Sequence, residues 1–259
     1  MARYFDGTTY YSRAGAIVGG AGYGWTMACW CRTSDTTNRN ICMSVGRSDT
    51  DLYGFGVFGI FNDLGVGLVR FLQIYQSASY YTVDANRATI PGQWNHVAAI
   101  SYTSGQRGDV AVNGVLGSTV QSSNTGSGSY PNQSSVGCLL RTSDQNNFVG
   151  DLAHAAFWSV SLTSAEVQAL ASGLSPLSVR PESLAAYYPI PLGKGLAGIE
   201  LTRQIDMTVH GTAYASSGPA VYGELDQWQE PSWLLPQIAR GPAPGVLLRK
   251  QPPIGMGIY

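Results

Sequence analysis

Charge is what this chain has least of. Charged residues make up 12% of it, about half the usual share for a globular protein. Only two lysines occur, Lys194 and Lys250, and no glutamate precedes Glu166. The 15 basic and 16 acidic residues nearly cancel, so no net field steers the chain to nucleic acid or to an anionic membrane. No run approaches the roughly 20 apolar residues of a membrane-spanning helix. Met1-Ala2-Arg3-Tyr4-Phe5-Asp6 lacks the basic start and apolar stretch of an export signal, so synthesis in a cytoplasm is expected.

Catalytic and cofactor signatures are equally scarce. His-x-x-x-His, Gly-x-Ser-x-Gly and Gly-x-x-x-x-Gly-Lys are all missing. Gly20-Ala21-Gly22-Tyr23-Gly24 and Gly54-Phe55-Gly56 have no helix after them to cradle a phosphate, and read as turns. The four cysteines, Cys29, Cys31, Cys42 and Cys138, lack the Cys-x₂-Cys pairing of structural zinc sites and read as buried free thiols. His96 and His154 sit among apolar strand residues, where a hydrogen-bonded structural histidine is the expectation.

What remains is a β pattern. Gln93-Trp94-Asn95-His96-Val97-Ala98-Ala99-Ile100 and Asp109-Val110-Ala111-Val112 flank a polar turn, and Asn113-Gly114 closes the second run as a type I′ turn would. Further strands are expected over Arg3 to Tyr11 (turning at Asp6-Gly7), Trp25 to Arg32, Ile41 to Gly46, Gly54 to Phe61, Gly65 to Tyr75, Ser79 to Asp84, Ser135 to Arg141 and Gly150 to Trp158. Many short strands with glycine-rich turns indicate a sandwich or barrel. One helix interrupts them. Thr163-Ser164-Ala165-Glu166 is a capping box, Val167 and Leu170 form the apolar stripe, and Gly173 with Pro176 ends it.

These segments resemble the laminin G-like, concanavalin A-like jelly rolls. The matching motifs are Phe5-Asp6-Gly7 with Tyr10 or Tyr11, Trp25-Thr26 to Trp30, Trp94-x-His96-Val97-Ala98 through Val112-Asn113-Gly114, and Gly150-Asp151-Leu152 through Leu170. The resemblance implies an all-β antiparallel jelly-roll sandwich over residues 1–222. Leu184 to Ile190 and Asp206 to Ala213 resemble a segment that opens other members, which suggests that 184–222 is a permuted closing segment. Residues 223–259 form a separate Pro-rich stretch, with Pro231, Pro236, Pro242, Pro244, Pro252 and Pro253 excluding helix and favouring an extended arm. Its apolar side chains, Trp228, Trp233, Leu234, Leu235, Leu247, Leu248 and Tyr259, call for a partner surface.

Function is less constrained, because this scaffold hosts lectins, glycosidases and structural modules. Glycosidases of the fold resemble one another in a Glu-x-Asp-x-Glu strand, and here all five glutamates lie at or after the helix, so no enzyme is expected. Calcium is the one cofactor weighed, with Asp35, Asp49, Asp51 and Asp144 as candidate ligands against the commoner reading of ordinary Asx turns. Tyr53, Tyr80 and Tyr81 are the candidate glycan-stacking residues. The expectation is a non-enzymatic virion structural protein of a tailed bacteriophage: a capsid decoration or cement, or a head–tail or tail accessory. It would be held to other virion proteins by its arm and be a homo-oligomer. The alternative is a carbohydrate-binding adhesin for host surface glycans.

Overall fold

A computed structural model describes residues 2–19, 24–35, 39–48, 56–61, 68–76, 79–102, 108–117, 119–123, 131–142, 144–190, 205–212 and 214–221. The chain divides into one unit of residues 1–225 and a second of 226–259. The second unit, with every residue expected to bind through the arm, lies outside the described residues.

In chain order the strands are β1 (Ala2–Asp6), β2 (Tyr10–Ala14), β3 (Trp25–Arg32), β4 (Asn40–Gly46), β5 (Gly56–Phe61), β6 (Leu68–Gln76), β7 (Ser79–Ala88), β8 (Asn95–Ser101) and β9 (Gly108–Val112). They continue as β10 (Val115–Gly117), β11 (Thr119–Ser123), β12 (Gln133–Val136), β13 (Leu139–Leu140), β14 (Asp144–Gln145), β15 (Val149–Trp158), β16 (Leu184–Tyr188), β17 (Thr208–His210) and β18 (Tyr214–Ser216), with helix α1 (Ser164–Ala171) between β15 and β16. Two large antiparallel sheets and a separate β13-β14 pair result. The first runs β10-β9-β8-β3-β15-β1-β18, with β16 also on β15; the second runs β11-β7-β6-β5-β4-β12-β2-β17. This is the jelly-roll sandwich the resemblance implies.

Alternation explains the first sheet. Trp25, Met27, Cys29 and Cys31 of β3 face the second sheet in the central core, together with Phe71, Val97, Leu152 and Phe157. The intervening residues face outward, and part of that outer side is covered as well. Val167 and Leu170 of α1 pack with Ala28, Ala98, Ile100, Ala156, Trp158 and Tyr187 in a second cluster. Strand β8 is therefore buried on both faces along its whole length, which is why its central Val97-Ala98-Ala99-Ile100 reads as a continuous apolar run. Each large side chain buried this way contributes about 1.5–3 kcal/mol.

Local signals formed as read. Thr163 and Glu166 make both arms of the capping box. Asn113 and Gly114 both have positive φ, 51° and 78°, as a type I′ turn requires. A Cβ at Gly114 would also sit close to α1, 3.1 Å from the Ala171 methyl group. All four cysteines are free and buried.

Two strand expectations are corrected. Arg3 to Tyr11 is two strands in different sheets, because Asp6 Oδ1 accepts from the amides and hydroxyls of Thr8 and Thr9 and turns the chain. Ser135 to Arg141 breaks at Gly137, where φ is +85° and a Cβ would lie 2.6 Å from the Phe5 ring, so Leu139 and Leu140 pair instead with Asp144 and Gln145. The segment after α1 adds β16 and β18 to the first sheet and β17 to the edge of the second.

Candidate functional site

Helix α1 covers part of the outer face of the first sheet. Elsewhere on that face, strand register builds a row of polar and aromatic side chains. Arg32 of β3 stands opposite Asp151 of β15, Asp151 opposite Tyr4 of β1, and Tyr4 opposite Tyr214 of β18. Residues directly opposite in antiparallel strands share a face, so all four project together. Tyr4 is 39% exposed and Tyr214 56%.

Arg32 ties the row together. Its Nε donates to Asp151 Oδ2 at 2.9 Å, its Nη2 donates to Ser216 Oγ at 2.9 Å, and its guanidinium lies 5.0 Å from the centre of the Trp94 ring. Trp94 just precedes β8 and is held by Asn95, whose amide group donates to the carbonyls of Ile90 and Gln93. The Gly92 amide donates to the Thr33 carbonyl, closing the loops on one another.

Between these groups lies a concavity of about 200 Å³, lined by Tyr4, Arg32, Ser34, Asp35, Gly150 and Asp151 among others. Gly150 brings the backbone close: its φ is +137° and a Cβ there would be 2.4 Å from the Arg32 carbonyl oxygen. Asp151 is 7% exposed, and its Oδ1 is buried with no hydrogen-bond partner among the described residues. An unpaired buried acceptor costs about 1–3 kcal/mol.

His96 and His154 are not poised for proton transfer near neutral pH. Burial lowers both His96 and His154 to about 3. His154 Nδ1 contacts the Tyr187 hydroxyl at 2.6 Å, as expected of a structural histidine. His96 departs from that expectation, because its Nδ1 is buried without a partner among the described residues, beside the Trp30 ring. On the second sheet Ser12 Oγ lies 2.8 Å from His210 Nε2, and Tyr10 stacks on that imidazole. No carboxylate hydrogen-bonds to His210 among the described residues, so the third member of a nucleophilic triad is missing there.

The candidate residues fare unequally. Asp35 lines the concavity. Asp144 falls on β14, and Tyr80 and Tyr81 fall on β7 of the second sheet opposite Ser123 and Ser122; the side chains of these three are outside the described residues. Asp49, Asp51 and Tyr53 lie outside them altogether. Among the described residues no three or more of His, Cys, Asp and Glu converge to hold a metal ion.

Sequence reasoning missed Tyr4, Arg32, Asp151 and Tyr214 as a group. One signal was available: Trp30 and Arg32 alternate with Cys29 and Cys31, and so belong to the outer face.

Residues 5–168 match the family model described as the Concanavalin A-like lectin/glucanases superfamily. That is more than half of the chain, which therefore belongs to this superfamily. Among solved structures, the native heptameric SAP-like pentraxin of Limulus polyphemus is similar with a TM-score of 0.55 at 16% identity, covering 82% of this chain and 93% of that one. A Bacteroides ovatus protein of inferred carbohydrate binding is similar with a TM-score of 0.57 at 18% identity, covering 85% of this chain and 61% of that one. At these identities the likeness concerns the fold. No curated protein matches the chain in sequence.

Proposed function

We propose that this concanavalin A-like chain is a non-enzymatic carbohydrate-binding module whose ligand sits on the helix-backed sheet beside Tyr4. The row from Tyr214 through Tyr4 and Asp151 to Arg32 carries the reading. An exposed aromatic ring offers a stacking surface for the C–H face of a sugar, and an adjoining polar hollow offers acceptors and donors for its hydroxyls. The inferred carbohydrate binding of the Bacteroides ovatus neighbour agrees with this use of the fold. The absence of glutamate before Glu166 and the low-titrating His96 and His154 argue against hydrolysis.

A glycan array followed by calorimetry tests it. Tyr4→Ala is expected to weaken binding about tenfold or more while leaving the melting temperature nearly unchanged, since an exposed aromatic anchor acts mainly on the complex. Tyr80→Ala on the second sheet is the comparison: a loss there and none at Tyr4 would move the site to that sheet. An array without a single binder would remove the reading.

A second reading concerns setting: a virion structural protein of a tailed bacteriophage, fixed to other virion subunits through its Pro-rich arm. It is supported by the separation of residues 226–259 as their own unit and by Trp228, Trp233, Leu234 and Leu235 in a segment rich in proline. A chain ending at Tyr222 is expected to fold and keep its glycan affinity while failing to join particles. Normal incorporation of that shortened chain would exclude the arm as tether.

A further inference from the structure

We propose that the row on the first sheet is a platform for an extended, linear oligosaccharide of about four sugar rings, laid across the strands. The inference rests on the carbohydrate reading and specifies its ligand. Register carries it. Tyr214, Tyr4, Asp151 and Arg32 stand opposite one another in turn on β18, β1, β15 and β3, four neighbouring strands of one sheet. Neighbouring strands lie about 4.8 Å apart, so the row runs about 14 Å from Tyr214 to Arg32. A pyranose ring in an extended chain advances by nearly one strand spacing. A chain crossing the strands therefore sets one ring over each of them.

The groups along that line suit such a chain. Tyr214 and Tyr4 are exposed, and neither side chain makes a hydrogen bond or ring contact among the described residues. Two bare rings on adjacent strands offer stacking faces to two successive sugars. Beyond them the row turns polar, where the hollow of about 200 Å³ has Arg32 in its lining. Arg32 is fixed in advance: Asp151 accepts from its Nε, Ser216 accepts from its Nη2, and its guanidinium lies over Trp94. Its Nη1 has no partner among the described residues, and the side chain is 28% exposed. A guanidinium already held in place donates to sugar hydroxyls with little further ordering cost. Asp151 serves as a strut, its buried carboxylate positioning Arg32 without touching the ligand.

The test titrates the full chain, by calorimetry, with linear β-linked gluco-, xylo- and manno-oligosaccharides of one to six units. For the series that binds, affinity is expected to rise with each unit up to about four, by at least about tenfold in all, and then level off. Tyr214→Ala removes the ring at the sheet edge. It is expected to weaken the tetrasaccharide about tenfold, to leave the disaccharide within about twofold, and to bring the plateau down by one unit. Tyr214→Phe is expected to keep the original profile, because stacking needs the ring and not its hydroxyl. The position is exposed, so both variants should melt with the parent chain.

An affinity that does not grow beyond a single sugar would overturn the inference and leave the carbohydrate reading standing. So would an array whose binders are all branched termini. A plateau that Tyr214→Ala leaves in place, or a Tyr214→Phe profile matching that of Tyr214→Ala, would overturn the assignment of stacking to this row. Failure to bind any of these series, or any glycan on the array, would sink the carbohydrate reading itself and the inference with it.

Discussion

Acidification from pH 7 to about 4.5 is expected to remove about 5 kcal/mol of stability, comparable to the whole margin of many domains. His96 and His154 are the source. Both are buried on the outer side of the first sheet, and burial lowers each from the ordinary 6.5 to about 3. The unfolded chain takes up protons on these rings as pH falls through 6.5, and the folded chain does not until about 3. Their contribution is therefore complete above pH 6.5 and is lost progressively between there and 3. Each unit of that descent costs about 1.4 kcal/mol per histidine, so two units and two rings give the figure above. Denaturant midpoints measured from pH 8 to 4 test this. His154→Asn should remove about half of the slope: Asn tolerates the left-handed backbone that residue 154 adopts, φ 53°. A midpoint that stays constant between pH 7 and 4.5 would refute the assignment.

The unusual backbone of His154 has an architectural cause. One edge of β15 is shared by two strands: β1 pairs with Val149 to Leu152, and β16 with Ala155 to Trp158. The changeover falls between them, where the pairing of β15 with β3 also slips in register. Sequence alone does not announce such a junction, because it depends on two strands more than 150 residues apart meeting on one edge. What was legible was local. The capping box at Thr163, the type I′ turn at Asn113-Gly114 and the alternation of β3 each depend on neighbours within a few positions. Their joint order over residues 3 to 170 was enough to place the fold.

The site was legible only in pieces. Trp94 and Asp151 both lie inside motifs that marked the family, but nothing in the chain says that positions 4, 32, 151 and 214 share one face. That follows from the registers of three strand pairs, each linking distant segments. Tyr53, Tyr80 and Tyr81, the candidates legible in the sequence, have side chains outside the described residues. Tyr4 was hidden inside a strand that otherwise reads as core, with Ala2, Arg3 and Phe5 all buried around it. Likewise, the break at Gly137 depends on the Phe5 ring from the far end of the chain.

Gly150→Ala is expected to be severely damaging, because it combines a disfavoured backbone conformation with a clash against the backbone of the neighbouring strand. The backbone at 150 has φ of +137°, a region L-residues rarely adopt, and this alone costs of order 1–3 kcal/mol. The added Cβ would also lie 2.4 Å from the Arg32 carbonyl oxygen and 2.9 Å from Thr33 Cβ. The nearer obstacle is backbone of the adjoining strand, which cannot rotate away as a side-chain tip would. Relief requires β15 and β3 to separate at the point where Asp151 meets Arg32. The total is expected to reach about 3–5 kcal/mol, within the range of a large-to-small core substitution, and to lower the melting temperature by about 10 °C. Gly92→Ala isolates the first cost. That glycine has φ of +73° and nothing within 4 Å of the place a methyl group would take, so strain alone should cost about 1 kcal/mol. Because Gly92 and Gly150 both line the concavity, the pair also separates site shape from stability. Gly150→Ala should abolish glycan binding even in the fraction that remains folded, whereas Gly92→Ala should retain most of it. If the two variants melt together, close approach of the Arg32 carbonyl is not what demands glycine at position 150.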